Sequence, residues 1–406
     1  MKYQHSNFQK PDPHHALQMP IYQSVAFEFD SAEAMEAAFT GKSAEHTYSR
    51  ITNPTVHFLE ERVRNITGAA GVTALNSGMA AISNAFITLG KAGGNIVTSP
   101  HLFGNTYSLL ASTLTTFGME VRFCDLTNTE EVKDCLDENT CALFLEIITN
   151  PQLEVADLKA LSDIAHAANV PLVADTTIVP FCAWSAKEFG IDIELISSTK
   201  YLSGGATSLG GLILDYGTFN WANTPALRTL AKQFGPLAFT AKLRKEIHRN
   251  LGAYMTPQAA YQQIVGLELL QIRFERAATT CLALANALKT MNGVVSVNYT
   301  GLPDNPHYAL STKQFGALPG AMLTFDLSSK DKCFGFLNSL KLIKRATNLF
   351  DNKTLAIHPA STIFGNFPEE LRKSMDVRDT TIRLSIGLEN LEELVEDIRN
   401  SLNVIQ

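Results

Sequence analysis

Short apolar segments alternate with helix-like segments over roughly the first half of the chain. The stretch VTALNSGMAAISNAFITLG begins with an apolar run, passes through a turn of small residues, and continues with a helical period through Met79, Ile82, Phe86 and Leu89. The alternation continues through NIVTSP, TYSLLASTLTTFG, MEVRFCD, CALFLEII, DLKALSDIAHAAN and VPLVADTT. It predicts an α/β fold of βαβ units, with a mostly parallel sheet and helices on both faces. Ligands of such sheets bind at the carboxyl ends of the strands.

The pattern changes at about residue 218, where a long helix-like region with Pro and Gly breaks begins. The last third combines several kinds of segment, namely GAMLTFDL, helix-like DKCFGFLNSLKLIKRA, strand-like TIRLSIG and the terminal amphipathic helix LEELVEDIRNSLNVI. We therefore expect a second, smaller α+β domain at the C-terminal end.

Composition narrows the class of protein. The 406 residues, 45% hydrophobic and 18% charged, exceed a single ordinary core and are typical of a folded, multidomain protein. The net charge of -7 comes without a basic stripe, which argues against a nucleic-acid partner. Neither a signal peptide nor a run of about 18 apolar residues is present, so we expect a cytoplasmic protein that does not cross a membrane. The six cysteines form no CxxC pair and have no metal-ligand histidine spacing, which predicts reduced thiols and no metal site.

Two short polar stretches follow predicted strands. In NSGMAA, the residues Ser77, Gly78 and Met79 open a helix, and the free N–H groups of a helix N-terminus favour a phosphate. An ordinary serine N-cap is the alternative. In LVADTT, a strand ends at Asp175, whose carboxylate could cap a turn or could keep a ring nitrogen protonated.

A third polar stretch, ISSTKYLSGG, contains Lys200. It could be a surface turn, or it could present a reactive amine that forms a Schiff base. Asp175 and Lys200 are 25 residues apart, one crossover unit, so they can lie at the ends of neighbouring strands. A phosphate-binding helix start, a carboxylate partner for a ring nitrogen and a Schiff-base lysine together predict pyridoxal 5'-phosphate as the cofactor.

Motifs from MPIYQSVAFEF to IRLSIGLEN resemble, in the same order, those of the Cys/Met-metabolism family of pyridoxal-phosphate enzymes. The resemblance implies the aspartate aminotransferase-like fold, fold type I. It divides the chain into an N-terminal arm (1–55) that contributes to a neighbouring subunit's site, a cofactor-binding large domain (56–250) and a small C-terminal domain (251–406). It also implies a homo-oligomer, usually a dimer of dimers.

The resemblance also assigns residues to the cofactor. TYSRITNPT is similar to a segment whose tyrosine and arginine, here Tyr48 and Arg50, reach the cofactor phosphate of the neighbouring subunit, although a polar loop with one arginine is the alternative. The other cofactor-binding residues that it implies are Ser77, Gly78 and Met79 in the phosphate loop, Ser197 and Thr199 as phosphate-binding hydroxyls, Asp175, Asn150, Phe103 and Lys200.

On the substrate side, IRLSIGLEN resembles the segment whose arginine, here Arg383, binds the α-carboxylate; a buried structural arginine is the alternative. Asn150 in LEIITNP and Thr362 in LAIHPAST are the other implied substrate contacts. Phe103 stands where the family usually has a tyrosine stacked on the cofactor ring, so the stacking is kept and the hydroxyl is lost. Tyr107 cannot be assumed to replace that hydroxyl.

The region AKLRKEIHRNLGAYMTPQAAYQQIVGLELLQIR resembles the O-acetylhomoserine sulfhydrylase branch of the family. This implies γ-replacement on an acylated homoserine, with a sulfur donor, to give homocysteine for methionine biosynthesis. Lys200 would remove the α-proton, and Asp175 would keep the cofactor ring protonated. The alternatives are methionine γ-lyase, cystathionine γ-lyase or γ-synthase activity, and a structural or regulatory relative without cofactor. The acyl group and the sulfur donor are left open.

Overall fold

In the computed structural model, residues 12–14, 16–224 and 226–405 are described; the first eleven residues of the predicted arm lie outside the described residues. A seven-stranded sheet occupies the first half of the chain. Its strands are β1 (Gly71–Leu75), β2 (Asn95–Thr98), β3 (Glu120–Phe123), β4 (Thr140–Glu146), β5 (Leu172–Asp175), β6 (Ile193–Ile196) and β7 (Gly211–Asp215).

The strand order is β1-β7-β6-β5-β4-β2-β3, and the pairs from β6 to β3 are all parallel. Strand β7 runs antiparallel to both of its neighbours, β1 and β6. The carboxyl ends of β4, β5 and β6 therefore meet at one edge of the sheet. The mostly parallel sheet and the neighbouring positions of β5 and β6 confirm the predictions from the alternating pattern and from the spacing of Asp175 and Lys200.

Helices cover both faces of this sheet, as its buried strands require. Those that lie before residue 252 are α1 (Ala32–Phe39), α2 (Pro54–Thr67), α3 (Gly78–Leu89), α4 (Gly104–Ser108), α5 (Thr129–Cys135), α6 (Leu158–Ala167), α7 (Arg228–Phe234), α8 (Ala238–Lys242) and α9 (Arg249–Leu251). One apolar cluster contains Leu59 of α2 and Leu161 of α6, and another contains Phe86 of α3 and Phe239 of α8. Within the described residues, no helix is both long and apolar enough to span a bilayer.

A second sheet of five strands lies in the last third of the chain, in the order β10-β11-β12-β9-β8. The strands are β8 (Ser296–Asn298), β9 (Met322–Asp326), β10 (Lys344–Arg345), β11 (Leu355–Ile357) and β12 (Thr381–Ser385). The accompanying helices are α10 (Pro257–Glu268), α11 (Leu270–Leu288), α12 (Tyr308–Phe315), α13 (Lys330–Ser339), α14 (Glu369–Ser374) and α15 (Leu391–Val404). This is the α+β arrangement that we expected, while the domain bounds after residues 55 and 250 stay predictions.

One helix is shorter than its sequence indicates. The segment DKCFGFLNSLKLIKRA reads as a single helix, but α13 ends at Ser339. The Asp397 carboxylate of α15 accepts hydrogen bonds from the N–H groups of Lys341, Leu342 and Ile343, at 2.9–3.1 Å. Three consecutive donors bound to one side chain are unavailable to a helix, so the chain turns and enters β10.

Candidate active site

A cavity of about 660 Å³ opens at the carboxyl ends of β4, β5 and β6, between the two sheets. Its lining includes eleven of the predicted site residues, namely Ser77, Gly78, Met79, Phe103, Asn150, Asp175, Ser197, Thr199, Lys200, Thr362 and Arg383. These residues come from positions spread over some 300 residues of sequence, and the fold brings them to one place.

The N-terminus of α3 forms one end of the cavity. Ser77 caps this helix, because its Oγ accepts a hydrogen bond from the N–H of Ala80 at 3.1 Å. A Cβ at Gly78 would lie 2.7 Å from Cβ of Ser197, too close for any other residue. The helix start is thus pressed against the Ser197 loop, with first-turn N–H groups that lack helical partners. Such an end suits an anionic group of phosphate size.

Two carboxylates lie side by side at the sheet edge. Asp175 ends β5 and pairs in register with Glu146, which ends β4. Burial raises the pKa of Asp175, while hydrogen bonds from Thr177 and the charge of Lys200 lower it. Burial and the neighbouring charge of Asp175 raise the pKa of Glu146 well above its ordinary value. Both pKa values are raised, and that of Glu146 is raised further, so a proton on this pair is held more tightly by Glu146 than by Asp175.

The Lys200 amine lies in the same cavity and is not part of an exposed surface turn. Its Nζ donates a hydrogen bond to Oδ1 of Asn348 at 2.7 Å. Burial, followed by the positive charge of Arg383, lowers the pKa of Lys200 to about 8, against the opposing attraction of Asp175. About a tenth of the amine is therefore uncharged at pH 7, far more than for an ordinary lysine, and the uncharged form is the one that acts as a nucleophile or a base.

Arg383, on β12, is 2% exposed. Its Nη1 donates to Oδ1 of Asn150 at 3.1 Å, and its Nη2 donates to the carbonyl oxygen of Asn348 at 3.4 Å. Burial lowers the pKa of Arg383, which nevertheless stays charged because its ordinary value is so high. Its Nε is buried and has no hydrogen-bond partner among the described residues. An unsatisfied guanidinium donor beside a cavity is suited to a carboxylate ligand.

The aromatic residue Phe103 lines the cavity, and its N–H donates to Oε1 of Glu146 at 2.6 Å. Tyr107, one turn further along, stacks on Phe123 with ring centroids 4.8 Å apart and is not part of the lining. It therefore does not supply the hydroxyl that Phe103 lacks.

Two predicted hydroxyls already have partners within the chain. Thr199 Oγ1 accepts from the N–H of Gly210 at 3.0 Å and donates to its carbonyl oxygen at 3.2 Å. Thr362 Oγ1 donates to the carbonyl oxygen of His358 at 2.8 Å. Each hydroxyl has only one proton, so both residues can still accept a hydrogen bond from a ligand but must break a bond to donate one.

The structure does not bring Tyr48 and Arg50 to this cavity within one chain. Arg50 Nη1 donates to the carbonyl oxygen of Arg249 at 2.6 Å, and the guanidinium lies 5.4 Å from the centroid of the Tyr48 ring. Neither residue lines the cavity that contains Lys200.

Two residues of the site were missed from the sequence, Glu146 and Asn348. Glu146 was visible as the first residue of the Glu-x-x-x-Asn-Pro pattern in LEIITNP, and its place at a strand end was a usable signal. Asn348 lies in the loop between β10 and β11 and carries no comparable signal, since its contact with Lys200 spans 148 residues.

The donor set fits pyridoxal phosphate: a helix start for the phosphate, a buried carboxylate for a ring nitrogen and an amine of lowered pKa. The model of the Cys/Met metabolism PLP-dependent enzyme family matches residues 2–403. The chain belongs to this family. The family match confirms the predicted cofactor class, and the two-sheet architecture agrees with the predicted fold type I.

Individual relatives of this family member cover nearly its whole length. The O-acetyl-L-homoserine sulfhydrylase of Corynebacterium glutamicum is 34% identical, with 96% of this chain and 93% of that protein covered. The L-methionine gamma-lyase of Fusobacterium nucleatum subsp. nucleatum is 36% identical, with 96% and 94% covered.

Two solved structures are also similar. One, from Campylobacter jejuni, is described as an O-acetylhomoserine (thiol)-lyase and contains N'-pyridoxyl-lysine-5'-monophosphate; it has a TM-score of 0.92 and 31% identity, with 99% of each chain covered. The other is an O-acetylhomoserine sulfhydrylase from the methionine biosynthetic pathway of Wolinella succinogenes, described with a novel mechanism of sulfur transfer. It is 45% identical, with a TM-score of 0.78 and 87% of this chain and 99% of that chain covered.

Proposed function

We propose that this enzyme catalyses γ-replacement on an acylated homoserine, with O-acetyl-L-homoserine as the favoured substrate and a sulfur donor as the second, to give L-homocysteine. The observation that carries the proposal is the juxtaposition of Lys200, with its lowered pKa, and the incompletely paired Arg383 in one cavity. An α-amino acid presents a carboxylate and an acidic α-proton close together, and these two side chains match that pair of groups.

Each side chain then has a separate task. Pyridoxal phosphate, when bound, supplies an electron sink that stabilises negative charge developing at the substrate α-carbon. The N-terminus of α3 and Ser197 would hold its phosphate, and Asp175 would face its ring nitrogen. Arg383 orients the substrate carboxylate, and Lys200 accepts the proton from the α-carbon in its uncharged form. At Cγ, the bond to the acyl oxygen breaks with acetate leaving as an anion, and a bond to the sulfur of the donor forms. Lys200 then returns a proton to the α-carbon of the product.

Phe103 supports replacement over elimination from thioethers. A thiolate is a poor leaving group that benefits from a proton donor near Cγ, whereas acetate leaves without one. Phe103 has no hydroxyl, and Tyr107 packs outside the cavity. The relatives named O-acetylhomoserine sulfhydrylase agree with this choice, and the L-methionine gamma-lyase relative makes γ-elimination the second candidate.

The same proposal includes assembly. Tyr48 and Arg50 lie away from the cavity of their own chain, which supports a working unit of at least two copies in which each arm completes the other copy's phosphate site. A tetramer built as a dimer of dimers is the expected form.

The decisive test is a steady-state assay of O-acetyl-, O-succinyl- and O-phospho-homoserine against sulfide, small thiols and a protein-bound sulfur donor, with homocysteine as the measured product. We expect the highest kcat/KM with the acetyl ester. Methionine cleavage to α-ketobutyrate at a rate above that of homocysteine synthesis would instead identify a γ-lyase.

A further inference from the structure

Asn348 connects the two cationic side chains of the cavity. Its Oδ1 accepts a hydrogen bond from Nζ of Lys200 at 2.7 Å, and its carbonyl oxygen accepts one from Nη2 of Arg383 at 3.4 Å. One residue of the β10–β11 loop thus touches both the amine and the guanidinium, although Lys200 follows a strand of the first sheet and Arg383 lies in a strand of the second.

The loop that contains Asn348 is fixed by the contacts of Phe350, two residues further along the chain. Phe350 has φ of 55°, in the left-handed region that bulky residues rarely enter. Its ring stacks on Tyr201, with centroids 4.1 Å apart and planes at 11°, and its N–H donates to Oγ of Ser385 at 2.7 Å. Because Tyr201 directly follows Lys200, the stack ties the loop to the lysine segment independently of the Asn348 side chain. Strain maintained by such contacts is typical of functional sites.

We propose that Asn348 is a positioning residue that sets the distance and direction of the Lys200 amine relative to the carboxylate bound at Arg383. This inference rests on the proposed function, because it assigns Lys200 the α-proton and Arg383 the α-carboxylate of the same substrate. The α-carbon of an amino acid is one bond from its carboxylate, so the amine must stay within a narrow range of positions to reach the α-proton.

A neutral amide suits this position better than a charged side chain. The amide oxygen accepts from Lys200 in both protonation states of the amine, and it adds no negative charge beside the carboxylate-binding guanidinium. The charged groups that act on the amine are Asp175, from β5, and Arg383, from β12. An aspartate at position 348 would attract the ammonium form and repel the substrate carboxylate.

The experiment compares Asn348→Ala and Asn348→Asp with the unchanged protein, in two measurements. The first follows the pH dependence of Lys200 acylation in the cofactor-free full-length chain, resolved by peptide mapping. With a midpoint at about pH 8 for the unchanged protein, we expect a higher midpoint for Asn348→Asp, by about one unit, and a lower one for Asn348→Ala.

The second measurement separates kcat from KM in the cofactor-loaded enzyme. Asn348→Ala is expected to lower kcat at least about tenfold with little change in KM, since the backbone contact with Arg383 remains. Asn348→Asp is expected to raise KM as well, because of its repulsion of the carboxylate.

Asn352→Ala is the matched control. Asn352 lies in the same loop, and its Nδ2 donates to the carbonyl oxygen of Gly204 at 2.8 Å without touching Lys200. Its midpoint and its kcat per folded molecule should equal those of the unchanged protein, even if its unfolding temperature falls. Equal midpoints and equal kcat for all four proteins would overturn the proposal. If the acylation midpoints differ in the expected order but no acyl-homoserine is converted, the role of Asn348 in holding Lys200 is retained. The proposed function is then rejected.

Discussion

The two sides of the cavity are built in different ways. On the side of the first sheet, Asp175 and Glu146 are the last residues of adjacent parallel strands, and Lys200 follows the next strand. On the side of the second sheet, Arg383 lies within a strand, but Asn348 and Thr362 come from loops. The first side is therefore positioned by backbone pairing, and the second side depends more on contacts between side chains.

This difference suggests that the first side serves the cofactor and the second side serves the substrate. Groups that serve the cofactor need one constant geometry, which strand ends in a paired sheet provide. Groups that serve the substrate can change between family members if loops carry them, because a loop residue can be replaced without disturbing the sheet. We expect substitutions on the first side to abolish chemistry and those nearer the substrate to redirect it.

The largest effect is expected from Lys200→Ala. This change removes the amine to which we assign the α-proton and the covalent bond to the cofactor, so turnover should fall by at least about four orders of magnitude. The folded state should persist, because deleting a buried amine also removes a desolvation cost. Activity, the visible absorbance of lysine-bound cofactor and thermal unfolding would all be measured; retention of that absorbance band would contradict the assignment of Lys200.

Asp175→Asn should follow, with a loss in kcat of about a hundredfold or more and a small change in stability. The amide keeps the size and the Oδ1 acceptor for the N–H of Thr177, now 2.9 Å away, but removes the charge to which we assign the protonation of the ring nitrogen. Kinetics and thermal unfolding of the same preparation would be compared. Parallel losses of activity and stability would favour a turn-capping role for Asp175.

A subunit-mixing experiment tests whether the arm serves a neighbouring copy. Arg50→Ala and Lys200→Ala proteins are each expected to be nearly inactive, but random exchange within dimers would give about a quarter of sites without either lesion. Activity after mixing should therefore recover to about a quarter of the unchanged protein. No recovery, after subunit exchange has been verified by mass, would place the Arg50 contact within one chain.

The smallest effect is expected from Phe103→Tyr, which tests whether a residue near the substrate decides between replacement and elimination. The ring can remain stacked, so cofactor affinity should hardly change, while the added hydroxyl supplies a proton donor near Cγ. Release of α-ketobutyrate and ammonia from methionine, without a sulfur nucleophile, should rise several-fold. Phe103→Leu, which lacks both ring and hydroxyl, is the control; an equal rise in that variant would show that the hydroxyl is not the cause.

Local sequence pattern alone located Asp175 and Lys200 on the first side of the cavity, whereas Arg383 and Thr362 on the second side were predicted only from the family resemblance. Asp175 and Lys200 follow apolar runs whose period is local, so the ends of β5 and β6 could be located from the pattern. The helix that begins at Lys330 was predicted too long, because Asp397 of α15 accepts hydrogen bonds from the N–H groups of Lys341 and Ile343. The local period of apolar residues contains no information about a hydrogen-bond acceptor that reaches the segment only through tertiary packing.

By itself, the sequence determined the alternation of strands and helices, the strand ends and the family-like motifs that mark the cofactor side. These features depend on neighbours within one or two turns of chain, which the order of residues already contains. Only the tertiary structure decided that Lys200 meets Asn348, that Arg383 meets Asn150 and that the N–H of Phe103 meets Glu146. These contacts join residues 43 to 233 positions apart. The contact of Phe103 with Glu146 needs the pairing of β2 with β4, and the other two exist only after the two sheets have packed and closed the cavity between them.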